Sequence, residues 1–226
     1  MNTEFWNKQL GEEWSAALAD LLSSEYSDKL LDKVNQVYKE AVVYPKKSDV
    51  FKAFRLTSFK DVRVLILGQD PYHDGSATGL AFANSRPLPD ISMSPSLQKI
   101  HSAWEKVSHG HFYFDDTLEP WAEQGVLLLN TALTVEKRKP GSHTKYWKKF
   151  TSGVLSAINR DRPDVICLLW GKQAQEYKPL LSNCTVLEYS HPASAIYNST
   201  DWNCPHFDEV NEILTNANGE EFQILW

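Results

Sequence analysis

The run Val62-Arg63-Val64-Leu65-Ile66-Leu67 is apolar at every position but Arg63, and it stops at Gly68, where Gln69-Asp70-Pro71-Tyr72-His73 takes over. A strand without a polar face has to be covered on both sides, as a parallel strand in a helix-wrapped sheet is. Residues 126–129, 165–170 and 185–189 are further short strand-like runs, each followed by a polar or glycine-containing turn. Around them lie segments with apolar residues at helical spacing. Residues 12–23 carry Trp14, Leu18, Leu21 and Leu22, and residues 28–40 carry Leu30, Leu31, Val34, Val37 and Tyr38. Residues 49–55 read as a short helix, another short one ends at 121–125, and longer ones run over 95–107, 144–159 and 205–217. Ser94 is placed to cap the helix that Pro95 opens, and Gly219 to end the last one. Residues 80–83 form a brief apolar segment, and 85–93, with Pro87 and Pro89, an irregular loop.

This alternation predicts one α/β domain over residues 1–226: a central four-stranded, mainly parallel sheet flanked by helices, with N-terminal helices of residues 1–45 packed on it. Right-handed crossovers put all four strand ends on one edge, where ligands of open α/β sheets bind. That edge collects Gln69, Asp70, Tyr72, Asn130, Gly171, Lys172 and His191. Asp-Pro alone would be a surface turn. Here Pro71 has no amide proton to donate and keeps Asp70 out of helical angles, so the loop is stiff enough to hold a carboxylate in place.

At 226 residues, 42% hydrophobic and 23% charged, the chain suffices for one large α/β domain, without internal repeats or low-complexity tracts. Most of its eight Trp are expected in the core. Met1-Asn2-Thr3-Glu4-Phe5-Trp6 lacks a basic region leading into an apolar stretch, and no run is long enough to span a bilayer, so a cytoplasmic, membrane-free location is expected. Cys167, Cys184 and Cys204 are widely spaced and form no C-x-x-C, which argues for reduced core thiols over a disulfide framework, a zinc site or an iron–sulfur cluster. The net charge of -6 speaks against a nucleic-acid partner, but its distribution does not. Residues 137–149 hold Lys137, Arg138, Lys139, Lys145, Lys148 and Lys149 with no acid, while acids concentrate toward the two ends of the chain. Such a run is either a solvated face or a phosphate-facing stripe.

One carboxylate, one carboxamide, one imidazole and an aromatic ring make a poor metal site, so neither metal nor cofactor is expected. No strand is followed by a G-x-S-x-G elbow, a Walker loop or a dinucleotide fingerprint. The set suits a reaction in which a carboxylate handles water or a developing cation, an imidazole steadies a developing anion, and a carboxamide reads a ligand's edge. Cleavage of a base from its sugar has that form.

Gly68-Gln69-Asp70-Pro71-Tyr72-His73, Gly79-Leu80-Ala81-Phe82, Pro95-Ser96-Leu97, Leu127-Leu128-Leu129-Asn130, Leu169-Trp170-Gly171 and His191-Pro192 together resemble the family-1 uracil-DNA glycosylases, in family order, over residues 51–214. The first motif is highly specific. The resemblance implies that Asp70 orients the attacking water and stabilises the cationic sugar, and that His191 donates to uracil O2 as the base leaves. It implies that Gln69 contacts uracil, Tyr72 fills the space of a thymine methyl, Phe82 stacks on the base and Asn130 pairs with its edge. Uracil offers an acceptor at position 4 and a donor at N3, which a carboxamide held in one orientation satisfies, and cytosine reverses the pattern. Alone, a histidine at a strand end is more often structural and a phenylalanine more often core; the surrounding motifs reverse both expectations.

For DNA contact the resemblance singles out Pro95, Ser96, Gly171, Lys172, His143, Pro192, Ala195 and Ile196. The implied partner is uracil-containing DNA, single- or double-stranded, met by a monomer; a DNA-mimicking inhibitor protein is a further candidate. The chain also departs from the family. The loop before Pro95 is longer, and Ser94 stands where proline is common. Lys172 replaces a serine, Ala193 stands for a phosphate-contacting serine, and the segment from Ser142-His143 to Trp147 is a residue short. Ala195 occupies the place of a leucine that fills the gap left by the flipped nucleotide. Alanine is too short for that, so a preference for single-stranded substrate is expected unless Ile196 substitutes. A non-catalytic DNA-binding protein and a glycosylase for another base are the competing readings. Asp70, Asn130 and His191 disfavour the first, and Tyr72 with Asn130 the second.

Overall fold

A computed structural model describes residues 3–85, 93–108 and 113–226; most of the expected 85–93 loop, with His109 and His111, lies outside the described residues. In chain order the elements are α1 (Thr3–Leu10), α2 (Glu12–Ala17), α3 (Ala19–Leu22), α4 (Glu25–Glu40), β1 (Val43–Tyr44), α5 (Lys52–Leu56), β2 (Val64–Gly68), α6 (Pro95–Ser108), α7 (Glu119–Glu123), β3 (Val126–Asn130), β4 (Val135–Glu136), α8 (Thr144–Asp161), β5 (Ile166–Trp170), α9 (Lys172–Gln175), β6 (Thr185–Tyr189), α10 (Pro192–Tyr197) and α11 (His206–Asn218).

The main sheet has the order β3-β2-β5-β6, and every pairing in it is parallel. Strands β2, β3 and β5 are buried at every position, as apolar runs without a polar face require. Val64, Leu65, Ile66 and Leu67 are each 0% exposed, and burying each of the larger three contributes about 1.5–3 kcal/mol before the entropy of ordering it. At the edge, β6 is half open to solvent and carries Glu188, whose ion pair with Lys178 puts charge where an unpaired strand would attract another chain. Register matters most at the end of β2, where Gly68 lies opposite Asn130.

The helix expected over 12–23 is broken at Leu18 into α2 and α3. Helix α1 and the two-residue antiparallel pair β1–β4 were not anticipated; two residues are too short to display a period. Ser94 does not cap α6 with its hydroxyl; its carbonyl accepts from the Gln98 amide at 2.9 Å instead. Pro205 and Gly219 flank α11 as expected. All eight Trp are buried, and Trp6, Leu10 and Trp14 join the same core as the sheet. Cys167 and Cys204 are buried free thiols, Cys184 a half-buried one.

Candidate active site

The site grows from the pairing of Gly68 with Asn130. A Cβ at Gly68 would fall 2.3 Å from Asn130 Oδ1, so glycine here is the condition for the carboxamide, 6% exposed, to lie across the strand end. The loop after Gly68 is tied to the segment after β3. The Thr131 amide donates to the Gly68 carbonyl (2.9 Å), and Gln69 O accepts from the Ala132 amide (2.9 Å) and from Thr131 Oγ1 (2.7 Å). These bonds fix where Gln69 and Asp70 leave the sheet.

Asp70 is half-buried, and its Oδ2 accepts the Gly141 amide at 2.7 Å. Burial pushes its carboxyl pKa above the ordinary value, opposed by the Gly141 hydrogen bond and by His73. The Tyr72 hydroxyl donates to the Phe82 carbonyl at 3.1 Å, and burial pushes the phenol up to about 12, so the ring is neutral and anchored at its hydroxyl. Phe82 sits at φ 64, a left-handed conformation costly for a bulky residue, and its neighbour's amide, Ala81 N, is bonded to the Leu128 carbonyl at 3.0 Å. The Phe82 ring rests 5.5 Å from Trp170 and 5.9 Å from His191, centroid to centroid.

His191 follows β6 and caps α10. Its Nδ1 accepts the Ala193 amide at 3.1 Å, which places the ring proton of the neutral imidazole on Nε2, and burial pushes its pKa below the usual value. Gly171, at φ 93, lies so close that a Cβ there would come within 2.7 Å of His191 Cβ. A cavity of about 190 Å³ is lined by Gln69, Asp70, Tyr72, Phe82, Asn130 and His191 together. The strand ends thus bring all six expected pocket residues together. A larger cleft, about 580 Å³, lies at the amino ends of the strands, but Arg63 and Arg162 there are spent on backbone carbonyls of Gln124, Phe222, Phe59, Lys60 and Val62.

The residues expected to touch DNA divide. Ser96 lines the cavity, Pro95 and Lys172 are exposed, and Gly171 braces His191. Three expectations need correction. Pro192 is buried in the first turn of α10, Ala195 is 4% exposed, and His143 is 1% exposed with its Nδ1 paired to Thr134 Oγ1 at 2.9 Å. Helix α10 turns Pro192 and Ala195 inward and presents Ile196 (37% exposed) and Tyr197 (88%) instead. Sequence reasoning missed Tyr197, because the resemblance fixes a position in the chain and not the face of a short helix. It also undervalued His73, which lines the cavity with a buried Nδ1 that has no partner among the described residues, although its place in the Asp70 loop signalled it. Gly141, whose backbone amide holds Asp70, leaves no side-chain signal to find. Within the basic run, the amide of Arg138 bonds the His73 carbonyl, while Lys149 Nζ lies 4.9 Å over the Tyr26 ring, away from the cavity. Among the described residues no three His, Cys, Asp or Glu stand together as a metal site would need, and no helix is long and apolar enough to cross a membrane.

A carboxylate that can be charged, a neutral imidazole with its proton on Nε2, a fixed carboxamide and an aromatic face meet here in one small cavity. Comparison with known proteins agrees in family and fold. A family model described as the Uracil DNA glycosylase superfamily matches residues 54–215. A uracil-DNA glycosylase of Fusobacterium nucleatum is 36% identical, over 94% of this chain and 95% of its own length, and one of Aliarcobacter butzleri is 37% identical over 94% and 99%. Among solved structures, mimivirus uracil-DNA glycosylase superposes with a TM-score of 0.86 at 23% identity, covering 100% of this chain and 89% of that one, and shares the fold. A second mimivirus structure, of a Y322L variant in complex with UGI, gives the same TM-score and identity and covers 91% of that chain.

Proposed function

The chain belongs to the uracil-DNA glycosylase superfamily, and from that membership we propose that it hydrolyses the N-glycosidic bond of a flipped-out deoxyuridine in DNA, as a metal-independent, monofunctional enzyme. The observation that carries the assignment to this pocket is the convergence of Asp70, Asn130 and His191 on one cavity too small for a base that remains stacked.

In this mechanism the C1′–N1 bond breaks with its electron pair passing to the base, and C1′ bonds to the oxygen of a water molecule. Asp70, held by Gly141, offsets the positive charge on the sugar and takes up the proton that water loses. His191 Nε2–H donates to uracil O2, steadying the departing anion without giving up its proton. Asn130 reads the O4 and N3 edge, Phe82 stacks on the ring, Gln69 adds a further contact, and Tyr72 closes the space beside C5. A methyl group is worth only ~1–3 kcal/mol in a pocket, so rejecting thymine calls for a wall as rigid as this anchored tyrosine.

Duplex handling falls to the rim. Ser96, Gly171 and Lys172 are set toward the phosphates, and the residue that enters the gap left by the flipped nucleotide is Ile196 or Tyr197. An exposed tyrosine there is a stacking plate, so the single-strand preference expected from Ala195 loses its ground. Action as a monomer is part of the same proposal. A protein that mimics DNA would meet the same rim.

The test is an oligonucleotide with a single deoxyuridine, scored for alkali-labile breaks with EDTA present. Expected are free uracil and breaks only after alkali. Breaks before alkali would contradict monofunctional action, loss of activity in EDTA would contradict metal independence, and no release from either strand form would overturn the assignment.

A further inference from the structure

The ring on which the base would stack is not held by its own backbone alone. Phe82 leans on Trp170, at the end of β5, with 5.5 Å between ring centroids and 56° between planes. Trp170 is 2% exposed, and its Nε1–H donates to Nδ1 of His206 at 3.0 Å. His206, the first residue of α11 and 2% exposed, is thereby an acceptor at Nδ1, so its ring proton sits on Nε2, the nitrogen that can meet the Glu188 carbonyl bonded to the ring. One imidazole therefore ties the end of β5 to β6, the two strands whose ends lead into Gly171 and His191. Trp202 completes the wall. Its ring stands edge-on to Trp170 at 4.8 Å, and its Nε1–H donates to the carbonyl of Ser190, the residue before His191, at 2.8 Å.

We infer that His206 is a positioning residue for uracil excision: by accepting the Trp170 indole proton it fixes the tilt of the plate beneath Phe82, and so the spacing between Phe82 and His191 across the bound base. A residue that merely filled core volume would not need an acceptor at this nitrogen. Without it, the buried Trp170 donor keeps only the weak acceptor of the Cys204 sulfur, and the indole gains by rotating away from its present plane. That movement is transmitted directly to Phe82 and, through Trp202, to the backbone before His191. The grip on DNA phosphates lies elsewhere, on the rim, and is untouched.

The inference rests on the reading of this cavity as the uracil site, so wild-type release of uracil from a single-stranded deoxyuridine oligonucleotide is the first measurement; its failure sinks that reading, whereas the variants address His206. His206→Leu removes the acceptor at similar volume, and His206→Gln keeps an oxygen able to accept. For His206→Leu, folded by circular dichroism, the expected result is a fall in kcat of roughly tenfold, with KM for DNA unchanged and the inhibition constant of free uracil raised by a similar factor. His206→Gln is expected to recover kcat to within about threefold of wild type, and in a Trp170→Phe background His206→Leu is expected to cost nothing more. Wild-type kcat and uracil inhibition in folded His206→Leu, equal damage in the Gln and Leu variants, or additive losses with Trp170→Phe would each overturn the inference. Should His206→Leu fail to fold, Trp170→Phe carries the test alone: it loses the donor and keeps a ring, and wild-type kcat in it refutes the coupling.

Discussion

Asp70 has to be charged in a place that resists charge. Burial raises its pKa, and below that raised value the carboxylate fills with a proton and turnover falls, giving kcat/KM an acid limb above the ordinary carboxylate range. The same shift fixes a stability effect. As pH rises past the unfolded value of ~3.9 the unfolded chain ionises first, folded stability drops until the folded pKa is passed, and the cost then persists at neutral pH. Asp70→Asn is therefore expected to lower turnover by at least about 10²–10³-fold while raising Tm at pH 7, with the Tm difference vanishing in acid below ~3.9. Activity within tenfold of wild type, or a lower Tm at pH 7, would contradict this picture. Specificity is argued from the neighbouring side chains. Asn130→Asp should release cytosine, because a protonated carboxyl both donates and accepts, and Tyr72→Ala should release thymine; uracil-only activity in both would move these residues out of the pocket. These side chains were legible in the sequence because they crowd one stiff loop and the strand ends. The tautomer of His191 was not legible, since it is set by the backbone amide of Ala193, which no residue identity encodes.

Helix α10 marks the limit of what position along a chain can say. The alignment of motifs puts Ala195 where a leucine belongs, yet six residues of helix after His191 rotate Ala195 inward and Tyr197 outward. Which face a helix this short turns to solvent depends on the Pro192 entry and on packing against α6, not on a periodicity that six residues can express. If Tyr197 enters the gap, base–aromatic stacking is worth ~1–3 kcal/mol, so Tyr197→Ala should lower duplex activity by about 5- to 150-fold and change single-strand activity by less than about threefold. Ile196→Ala, measured on the same matched substrates, identifies the wedge if Tyr197→Ala leaves the ratio alone. An unchanged ratio in both variants would move the wedge off α10. The β1–β4 pair was hidden for a similar reason, being made by two residues a side brought together only when the chain folds.

At the scale of the whole molecule, the long apolar runs dictated the parallel sheet and hence the edge where the site lies. What stayed hidden were distances of approach, such as Gly68 against Asn130 and the Trp170–His206 tie, because they exist only between segments far apart in sequence. That tie has a consequence for the entire fold. Burial holds the His206 ring neutral down to about pH 4, the Glu188 carbonyl opposing only in part. As pH falls below ~6.5 the unfolded chain takes up a proton that the folded one refuses, so stability declines by about 3 kcal/mol between ~6.5 and ~4. Urea unfolding at pH 7 and 4.5 should show that slope, reduced in His206→Gln. Charge is the other global property. The chain carries a net -6, so DNA must be met by a local basic rim. Lys172 follows the glycine that braces His191, and Arg138 belongs to the turn bonded to His73, whereas Lys149 is folded over Tyr26. Each phosphate contact adds ~0.9 to the slope of log K against log salt on duplex DNA. Lys172→Ala and Arg138→Ala should each flatten that slope by up to that amount, equally for all sequences, and Lys149→Ala should leave it unchanged. If the lysine over Tyr26 carries the salt dependence instead, DNA runs along α8 rather than across the strand ends, and the rim drawn here is misplaced.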